Sequence, residues 1–180
     1  MSDALRETEA MQLVRPSPRY RDSFLAAVEE FRADGLPWWT GPQLALAARD
    51  FDAFVALKLG EATRATEHRP CKTHLWAVQD GEFVGRLAIF HSLTEALFAS
   101  GGHIGYDTRP PYRRRGLATQ MLRQALPIAH GLGLERVLLT CDASNTASIT
   151  VIERNGGVQD PTHPAPAGKL AFWITLPRPG

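Results

Sequence analysis

The stretch GGHIGYDTRPPYRRRGLATQML, residues 101–122, decides the prediction of the fold. Residues 101–108 predict a β-strand, and the sequence from Gly116 onward predicts the start of an amphipathic helix. The segment 109–115 lies between this strand and this helix, and four of its seven residues are arginines. The first turn of a helix carries partial positive charge, so acidic residues are favoured there and arginine is not. The sequence therefore places basic side chains at the unfavourable end of a helix.

Two interpretations of these arginines are open. The first is a solvated basic face at the start of a helix. The second is an anion site, since the unpaired N–H groups of a helix N-terminus bind phosphates and arginine adds bidentate contacts. Gly116 would let the backbone approach a ligand closely, and Ala118 leaves room one turn later. An anion bound at this turn would remove the electrostatic conflict.

Two familiar phosphate-binding motifs do not account for the turn. The P-loop pattern G-x-x-x-x-G-K-[ST] does not occur in the sequence. The segment GLGLER, residues 131–136, begins like a dinucleotide fingerprint but has Arg136 in place of the last glycine. It also precedes a predicted strand, where the fingerprint requires a helix. Both an ATPase P-loop and a Rossmann-type site are excluded.

Composition sets the class of protein. The 180 residues, with 44% hydrophobic and 22% charged, are typical of one globular domain, which we predict to span residues 1–180. The net charge of +1 argues against general binding to nucleic acid or to an anionic membrane. Cys71 and Cys141 form no disulfide framework, and residues 1–10 lack the features of a secretion signal. These observations predict a cytoplasmic location, with no nucleic-acid or membrane partner.

Hydrophobic periodicity predicts alternating strands and helices around these motifs. The pattern predicts a hairpin that turns at Asp80-Gly81. Pro127 is expected to kink or shorten the helix that follows the arginines. The predicted strands are 12–16, the two arms of 73–91, 101–108, 136–142 and 169–176, with a weak strand near Val158. The predicted helices are 18–33, 43–63, a segment from 116 to 131 or 133, and 145–157. The order β-α-α-β-β-β-α-β-α-β(β) predicts an α/β fold with a mixed central sheet flanked by helices.

A family resemblance rests on two motifs in the second half of the chain. The first is R-x-x-G-x-A, formed by Arg113, Gly116 and Ala118 after a strand. The second is N-x-x-S, formed by Asn145 and Ser148 and followed by IERNGG. Together they resemble the acetyl-CoA-binding region of the GNAT superfamily of N-acetyltransferases, in a branch with NxxSxxxIExNGG. The resemblance implies direct acetyl transfer from acetyl-CoA to a primary amine without an acyl-enzyme, and it is compatible with a homodimer.

The resemblance also implies how acetyl-CoA binds. Two neighbouring parallel strands, 103–108 and 136–141, would splay apart and admit the pantetheine arm. An N–H near Tyr106 or Asp107 would polarise the thioester carbonyl, and Arg109 would be a further candidate for the phosphates. The implied cofactor-binding residues are Tyr106, Thr108, Arg113, Arg114, Arg115, Gly116, Leu117, Ala118, Thr119, Asn145 and Ser148.

The catalytic residues are less well defined by the sequence. A base is needed to deprotonate the amine, and His103 and Asp107 share a strand face. Many GNAT enzymes supply a tyrosine as the acid, but Ile152 occupies that position here and Gly157 replaces a neighbouring aromatic. We predict His103, Asp107 and Tyr106 as catalytic candidates. Further bases considered are His91, Glu95 and Asp142, and further acids are Tyr112 and Ser148.

Two cysteine-containing features have alternative interpretations, a metal site for the first and a covalent nucleophile for the second. His68, Cys71 and His74 have a spacing that could fit zinc, but Pro70 disfavours a helix and a fourth ligand is not evident, so we predict no metal. Cys141, at the end of an apolar strand, is typical of a small buried hydrophobe.

Tryptophans in the first half of the chain have two interpretations. Trp38 and Trp39 could anchor a loop, or wall the acceptor site with Glu29, Glu30 and Asp34 nearby. The alternative functions are a non-catalytic CoA-binding or regulatory module and, less compatible with the charge, a nucleic-acid binder.

Overall fold

The computed structural model describes residues 9–36, 41–66 and 68–176, so Trp38 and Trp39 lie outside the described residues. Within these ranges the strands are β1 (Gln12–Val14), β2 (Lys72–Gln79), β3 (Glu82–Phe90), β4 (Ile104–Thr108), β5 (Arg136–Asp142), β6 (Val158–Gln159) and β7 (Lys169–Thr175). The α-helices are α1 (Arg21–Ala33), α2 (Pro42–Arg49), α3 (Phe51–Gly60), α4 (Glu95–Ala99), α5 (Leu117–Gly131) and α6 (Thr146–Arg154).

The strands form two antiparallel sheets, ordered β1-β2-β3-β4 and β5-β7-β6. The predicted hairpin is confirmed, because β2 and β3 pair across Asp80 and Gly81, which have φ values of 52° and 78°. Two positive φ values are those of a type I′ turn, which suits the twist of paired strands. The weak strand predicted near Val158 is present as β6, at the edge of the second sheet.

The two sheets join at one point, where the segment before β4 meets β5. Gly102 and Leu139 form a single bridge of antiparallel type, and the His103 N–H donates to the Leu138 carbonyl at 2.7 Å. A Cβ at Gly102 would lie 2.3 Å from that carbonyl oxygen, so glycine is required for this approach. Because Gly102 precedes β4, β4 and β5 themselves share no ladder in the described part of the chain.

Each face of the larger sheet carries its own hydrophobic core. Leu75 and Leu87 point to one face, where α5 and α6 cover them. Trp76 and Phe83 point to the other face, where α1 and α3 cover them. The ring of Phe24 in α1 stacks on Trp76 with centroids 4.9 Å apart. This arrangement gives β4 two distinct faces, one toward α5 and α6 and one toward α1 and α3.

The predicted helix over 43–63 is wrong, because two helices occupy this region. Asp50 is extended, with φ −148°, and its side chain accepts a hydrogen bond from the Ala53 N–H at 3.0 Å. Aspartate is a favoured N-cap because its carboxylate satisfies an N–H that the helix leaves unpaired. The apolar pattern runs through both helices, so periodicity alone did not reveal the break.

The sequence predicts that Pro127 kinks or shortens α5, but the helix is not shortened. The helix continues past Pro127 to Gly131, in agreement with the predicted end.

The predicted strand over 101–108 begins only at Ile104, since residues 101–103 form the junction with β5. An additional short helix, α4, precedes this junction.

The Asp50 cap leads to a stability prediction. Asp50→Ala leaves the first turn of α3 without its side-chain acceptor, so the free energy of unfolding should fall by about 1 kcal/mol. Asp50→Asn keeps an acceptor oxygen at the same position and should retain most of the stability. Urea unfolding of the three proteins measures the difference, and equal stability of Asp50→Ala and wild type would contradict the capping role.

Candidate active site

The edge of β4 that faces away from β3 is open. The Phe90 N–H donates to the His103 carbonyl at 2.7 Å, and the Arg109 N–H donates to the Val84 carbonyl at 2.9 Å. Because backbone direction alternates along a strand, the N–H groups of Tyr106 and Thr108 point toward the gap that separates β4 from β5. Neither N–H has a hydrogen-bond partner among the described residues. The same alternation turns the Asp107 N–H toward β3, so Tyr106 is the better placed of the two expected oxyanion donors.

The N-terminus of α5 presents a second set of free backbone donors. Gly116 is the N-cap with φ 76°, a conformation that favours glycine, and a Cβ there would meet no protein atom within 4 Å. The next three residues, Leu117, Ala118 and Thr119, form the first turn, whose N–H groups have no partner within the helix. Arg114, just before it, has a φ of 61°, which is strained for a non-glycine residue. Donors that converge at a helix N-terminus are suited to a phosphate.

The four arginines before α5 have different roles. Arg109 is 8% exposed and is held by both carboxylate oxygens of Glu30, at 2.7 and 2.8 Å. Its remaining nitrogen donates to the Phe83 carbonyl at 3.1 Å, and the hydrogen bond to Glu30 raises its pKa. The expectation that Arg109 binds phosphates is therefore corrected: it ties the end of β4 to α1.

Arg113 also contacts α1, but at the surface. Its guanidinium donates to Asp34 at 2.7 Å and to the Thr108 carbonyl at 3.2 Å, and about a third of each charged side chain is exposed (39% and 35%). Arg114 and Arg115 are exposed and have no ion pair in the described part of the chain. Arg115 lies over the Tyr112 ring, 5.2 Å from its centroid. These two arginines are the ones left available to an anion.

The acidic residues expected near the acceptor are engaged elsewhere. Glu30 and Asp34 bind the two arginines just described, and Glu29 forms a surface pair with Arg32 at 2.8 Å. Glu30 and Asp34 therefore hold the loop between β4 and α5, whereas Glu29 pairs within α1.

His103 makes a structural contact at the junction of the sheets. Its Nδ1 accepts a hydrogen bond from the Leu138 N–H at 2.9 Å, and the residue is 7% exposed. Burial, with a smaller effect of Arg136, lowers the pKa of His103 to about 4. Because Nδ1 is an acceptor, the neutral ring carries its proton on Nε2. Protonation at Nδ1 would break the bond to β5, which favours a structural role over that of a base.

Asp107 lies on the opposite face of β4 from Tyr106. Its carboxylate accepts a hydrogen bond from Arg86 at 2.7 Å, and 15% of its side chain is exposed. The register aligns Asp107 with Arg86 and Trp76, so it faces α1 and α3.

The other candidate bases are placed less favourably. His91 Nε2 shares a hydrogen bond with the Thr73 hydroxyl at 2.8 Å, and burial lowers the pKa of His91. Asp142 pairs with Lys169 at 2.9 Å. Glu95 is an exposed residue at the start of α4.

The Tyr106 hydroxyl is a buried donor without a partner. It packs against the α5 and α6 core, and its oxygen is inaccessible to solvent and has no hydrogen bond. Burial raises the pKa of Tyr106 to about 12, although the nearby Ser148, which lies outside hydrogen-bond geometry, acts in the opposite direction. An unsatisfied buried hydroxyl costs about 1–3 kcal/mol, so a ligand that accepts from it would gain affinity. This orphaned hydroxyl fits a site that is completed by a substrate.

The N-x-x-S motif forms the start of α6. Asn145 is the N-cap, and its Oδ1 accepts a hydrogen bond from the Ser148 N–H at 3.0 Å. Further along, Ile152 is 1% exposed, and a Cβ at Gly157 would lie 2.3 Å from its Cγ2. The two departures from the family pattern therefore fit one another in the folded chain.

Sequence reasoning missed a cluster of charged side chains between α3 and β2. Glu61 binds Lys72 at 2.9 Å and His74 at 2.8 Å, and Lys58 lies 3.4 Å away. Arg86, the partner of Asp107, was also missed. The contacts of Glu61 with His74 and of Arg86 with Asp107 join residues 13 and 21 positions apart, and no local motif signals them.

The described residues contain neither a cluster of metal ligands nor a helix that could span a membrane. No group of three or more His, Cys, Asp or Glu that could hold a metal ion occurs among them. His74, considered for zinc, instead bonds to Glu61, and Cys71 is a free thiol. Within the same residues, the helices are too short or too polar to cross a bilayer.

Comparisons with known proteins agree with this geometry. The sequence matches the acetyltransferase (GNAT) domain family over residues 12–158. RimJ of Mycobacterium smegmatis, solved with CoA-disulfide, is similar with a TM-score of 0.66 and 19% identity, over 95% of this chain and 88% of that one. RimL, a ribosomal L7/L12 alpha-N-protein acetyltransferase solved with coenzyme A, has a TM-score of 0.65 and 14% identity, over 92% and 94%.

A third similar structure is the microcin C7 self-immunity acetyltransferase MccE, solved with acetyl-CoA and AMP. Its TM-score is 0.64 at 11% identity, over 93% of each chain. Identities this low show the fold alone. No curated protein matches the chain significantly.

The buried histidines predict how stability depends on pH. Burial lowers the folded-state pKa of both His103 and His74 to about 4, below the ordinary value of 6.5. The contribution of these two histidines to the free energy of unfolding is therefore fully present above pH 6.5. It is lost as the pH falls toward 4, because in this range only the unfolded chain binds these protons. The slope should reach at most about 1.4 kcal/mol per pH unit for each histidine.

His103→Asn tests the assignment, since its Oδ1 can accept from the Leu138 N–H as Nδ1 does. We expect the variant to lose the His103 part of the slope in urea unfolding between pH 7 and 4. An unchanged slope would contradict the neutral, hydrogen-bonded state of His103.

Proposed function

The chain belongs to the GNAT acetyltransferase family, and we propose that it transfers an acetyl group from acetyl-CoA directly to a primary amine. One observation carries the proposal. The open edge of β4 leads, within eleven residues of chain from Thr108 to Thr119, to the free N–H groups at the start of α5. The extended pantetheine arm of acetyl-CoA would need a free strand edge, and the pyrophosphate at its end would need the N–H groups of a helix N-terminus. Nothing in the fold or the comparisons favours the alternative of a non-catalytic module.

The backbone of this chain would bind and orient the co-substrate. The Tyr106 and Thr108 N–H groups would donate to the pantetheine arm, and that of Tyr106 would polarise the thioester carbonyl. The N–H groups of residues 114–119 would hold the pyrophosphate, with Asn145 and Ser148 on the α6 side of the arm. Acetyl-CoA supplies the activated acyl group, so no side-chain nucleophile is needed.

The arginine side chains would add charge to the phosphate site to different extents. Arg114 and Arg115 are exposed and unpaired in the described part of the chain, so their guanidinium groups can meet phosphate without losing a partner. Arg113 would first have to exchange Asp34 for a phosphate. Such an exchange is inexpensive, because an exposed ion pair contributes at most about 1 kcal/mol.

Two side chains would handle the protons. Asp107 faces the α1 and α3 side of the sheet, where it would orient the acceptor amine and take its proton, directly or through water. Tyr106 faces the other side, where its hydroxyl, protonated at all relevant pH values, would donate to the departing thiolate. A thiolate with a solution pKa of about 8.5 leaves readily near neutral pH, so this donation assists the reaction without being obligatory.

The first functional prediction concerns binding of CoA. At about 100 times its dissociation constant a ligand adds about 2.7 kcal/mol of stability, which for this chain length corresponds to a rise in Tm of about 5–10 °C. Arg114→Gln with Arg115→Gln should weaken CoA binding about tenfold or more while leaving kcat at saturation unchanged, since the phosphates lie far from the reacting carbon.

Arg123→Gln is the matched control, because Arg123 is exposed on α5 and has no ion pair among the described residues. The absence of any Tm shift with millimolar CoA or acetyl-CoA would overturn the proposed function. Normal CoA binding by the double variant would show that the two arginines are only a solvated face.

The second functional prediction separates stability from activity at Tyr106. Tyr106→Phe removes a hydroxyl that has no partner, so the free protein should be as stable as wild type or slightly more stable. In contrast, kcat with acetyl-CoA should fall about tenfold or more, with CoA affinity changed little, because the acceptor for this hydroxyl is the thiolate, which forms only during the reaction. Tyr112→Phe, which alters a tyrosine in the loop before α5, should leave kcat unchanged, and an equal kcat for Tyr106→Phe and wild type would exclude the acid role.

A further inference from the structure

A cavity of about 490 Å³ lies on the same sheet face as Asp107 and is distinct from the phosphate site. It is lined by the end of α3, the segment that follows it, Lys72, Phe90 at the end of β3, and α4. Phe90 pairs with Lys72 and donates its N–H to the His103 carbonyl. Asp107 lies four residues after His103 along the chain, a distance of about 13 Å at about 3.3 Å per residue. The cavity is thus near the candidate base, without containing it.

Basic side chains outnumber acidic ones among the described residues that line this cavity. Arg64, Arg69 and Lys72 line it, whereas Glu61 supplies the one carboxylate among its described lining residues. Burial opposes ionisation of Glu61, but hydrogen bonds from His74 and Lys72 hold its pKa well below its usual range. This carboxylate is already neutralised by its own partners. Glu61 therefore does not offset the charge of the arginines among the described lining residues.

Arg64 and Arg69 provide that charge. Both side chains are exposed, and neither has an ion pair in the described part of the chain. Two guanidinium groups at one cavity suit a carboxylate or a phosphate, which each can bind in bidentate fashion. Phe90 and Leu97 add apolar wall, so the cavity can pack the carbon atoms of a ligand as well as bind its charge.

Charged side chains connect the cavity with Asp107. Lys58 lies 3.4 Å from Glu61, and burial together with Lys72 and Arg86 lowers the pKa of Lys58 to about 8 against the effect of Glu61. Arg86 in turn binds Asp107 at 2.7 Å. Charged side chains are therefore present at both ends of this sheet face, Glu61 and Lys72 at the cavity and Arg86 at the candidate base.

We propose that this cavity is a subsite for an anionic group of the acceptor. The acceptor is then a primary amine that carries a carboxylate or phosphate about 10 Å or more from its nitrogen. Its anion binds Arg64 and Arg69, and its amine reaches toward Asp107. This inference rests on the proposed function, and it names the class of substrate: acidic amines of extended shape, whether short acidic peptides or acidic alkylamines.

Matched pairs of amines test the inference. The peptide pair is Ala-Ala-Glu-amide and Ala-Ala-Gln-amide, and the alkyl pair is 8-aminooctanoate and 8-aminooctanamide. Within each pair the length is equal and only the charge differs. We expect the anionic member to have a kcat/KM at least about tenfold higher in the preferred pair, a preference of about 1.4 kcal/mol. The preference should decline as NaCl is raised, because salt screens exposed charges.

Variants assign the preference to the cavity. Arg64→Gln with Arg69→Gln should bring the ratio of anionic to neutral kcat/KM close to one and leave the neutral amines unchanged. Arg123→Gln removes one exposed arginine from α5, on the other face of the sheet, and should keep the wild-type ratio. Retention of the full ratio by the double variant would overturn the subsite.

Three measurements separate this inference from the proposed function. Thermal shift with CoA and thiol release with the neutral amines report on the function, and calorimetry of the anionic peptide without CoA reports on the cavity. If CoA binds and both members of each pair react equally, the subsite is wrong and the function stands. If CoA does not bind and no amine reacts, the function is wrong, and failure of the peptide to bind overturns the subsite as well.

Discussion

The bridge between β4 and β5 is the constraint on which the rest of the site depends. The two sheets are joined there by the His103 N–H bonded to the Leu138 carbonyl and by the Leu138 N–H bonded to the His103 ring. A continuous ladder would have paired the N–H groups of Tyr106 and Thr108 within the protein. Because an imidazole satisfies the Leu138 N–H at the junction, the strands can part without leaving that group unpaired. The gap exists because its closed end is fully hydrogen-bonded.

The loop after β4 depends on a second constraint, its attachment to α1. Arg109 is buried against Glu30, and Arg113 reaches Asp34 one turn further along the same helix. These contacts position the loop so that the arginines following it face solvent at the start of α5. Two of the four arginines in residues 109–115 are therefore structural, and the other two are exposed. The carboxylates of Glu30 and Asp34 offset part of the positive charge before the N-terminus of α5. Arg109 and Arg113 fit neither interpretation offered by the sequence, and the choice between a solvated face and an anion site concerns Arg114 and Arg115.

The sequence predicted those parts of the molecule that local chemistry determines. The hairpin at Asp80-Gly81, the helix after Gly116 and the buried strand before Asp142 depend on turn residues and periodicity, and each is present. The break at Asp50 was missed because a cap inside an apolar pattern resembles a solvent-facing helical residue. The pairing of Arg109 with Glu30, 79 positions apart, depends on the tertiary fold and leaves no local signal. The same applies to the charged cluster around Glu61, which no motif marks.

Ile152 and Gly157 have a consequence for the substitutions that this chain can accept. A Cβ at position 157 would lie 2.3 Å from the Ile152 Cγ2 and 2.9 Å from the Ile152 carbonyl oxygen. A smaller side chain at position 152 would remove the first contact, but the second contact is with the main chain and would remain. Position 157 can therefore carry a side chain only if the backbone at the end of α6 also moves, so the turn after α6 is fixed by the main chain as much as by the isoleucine.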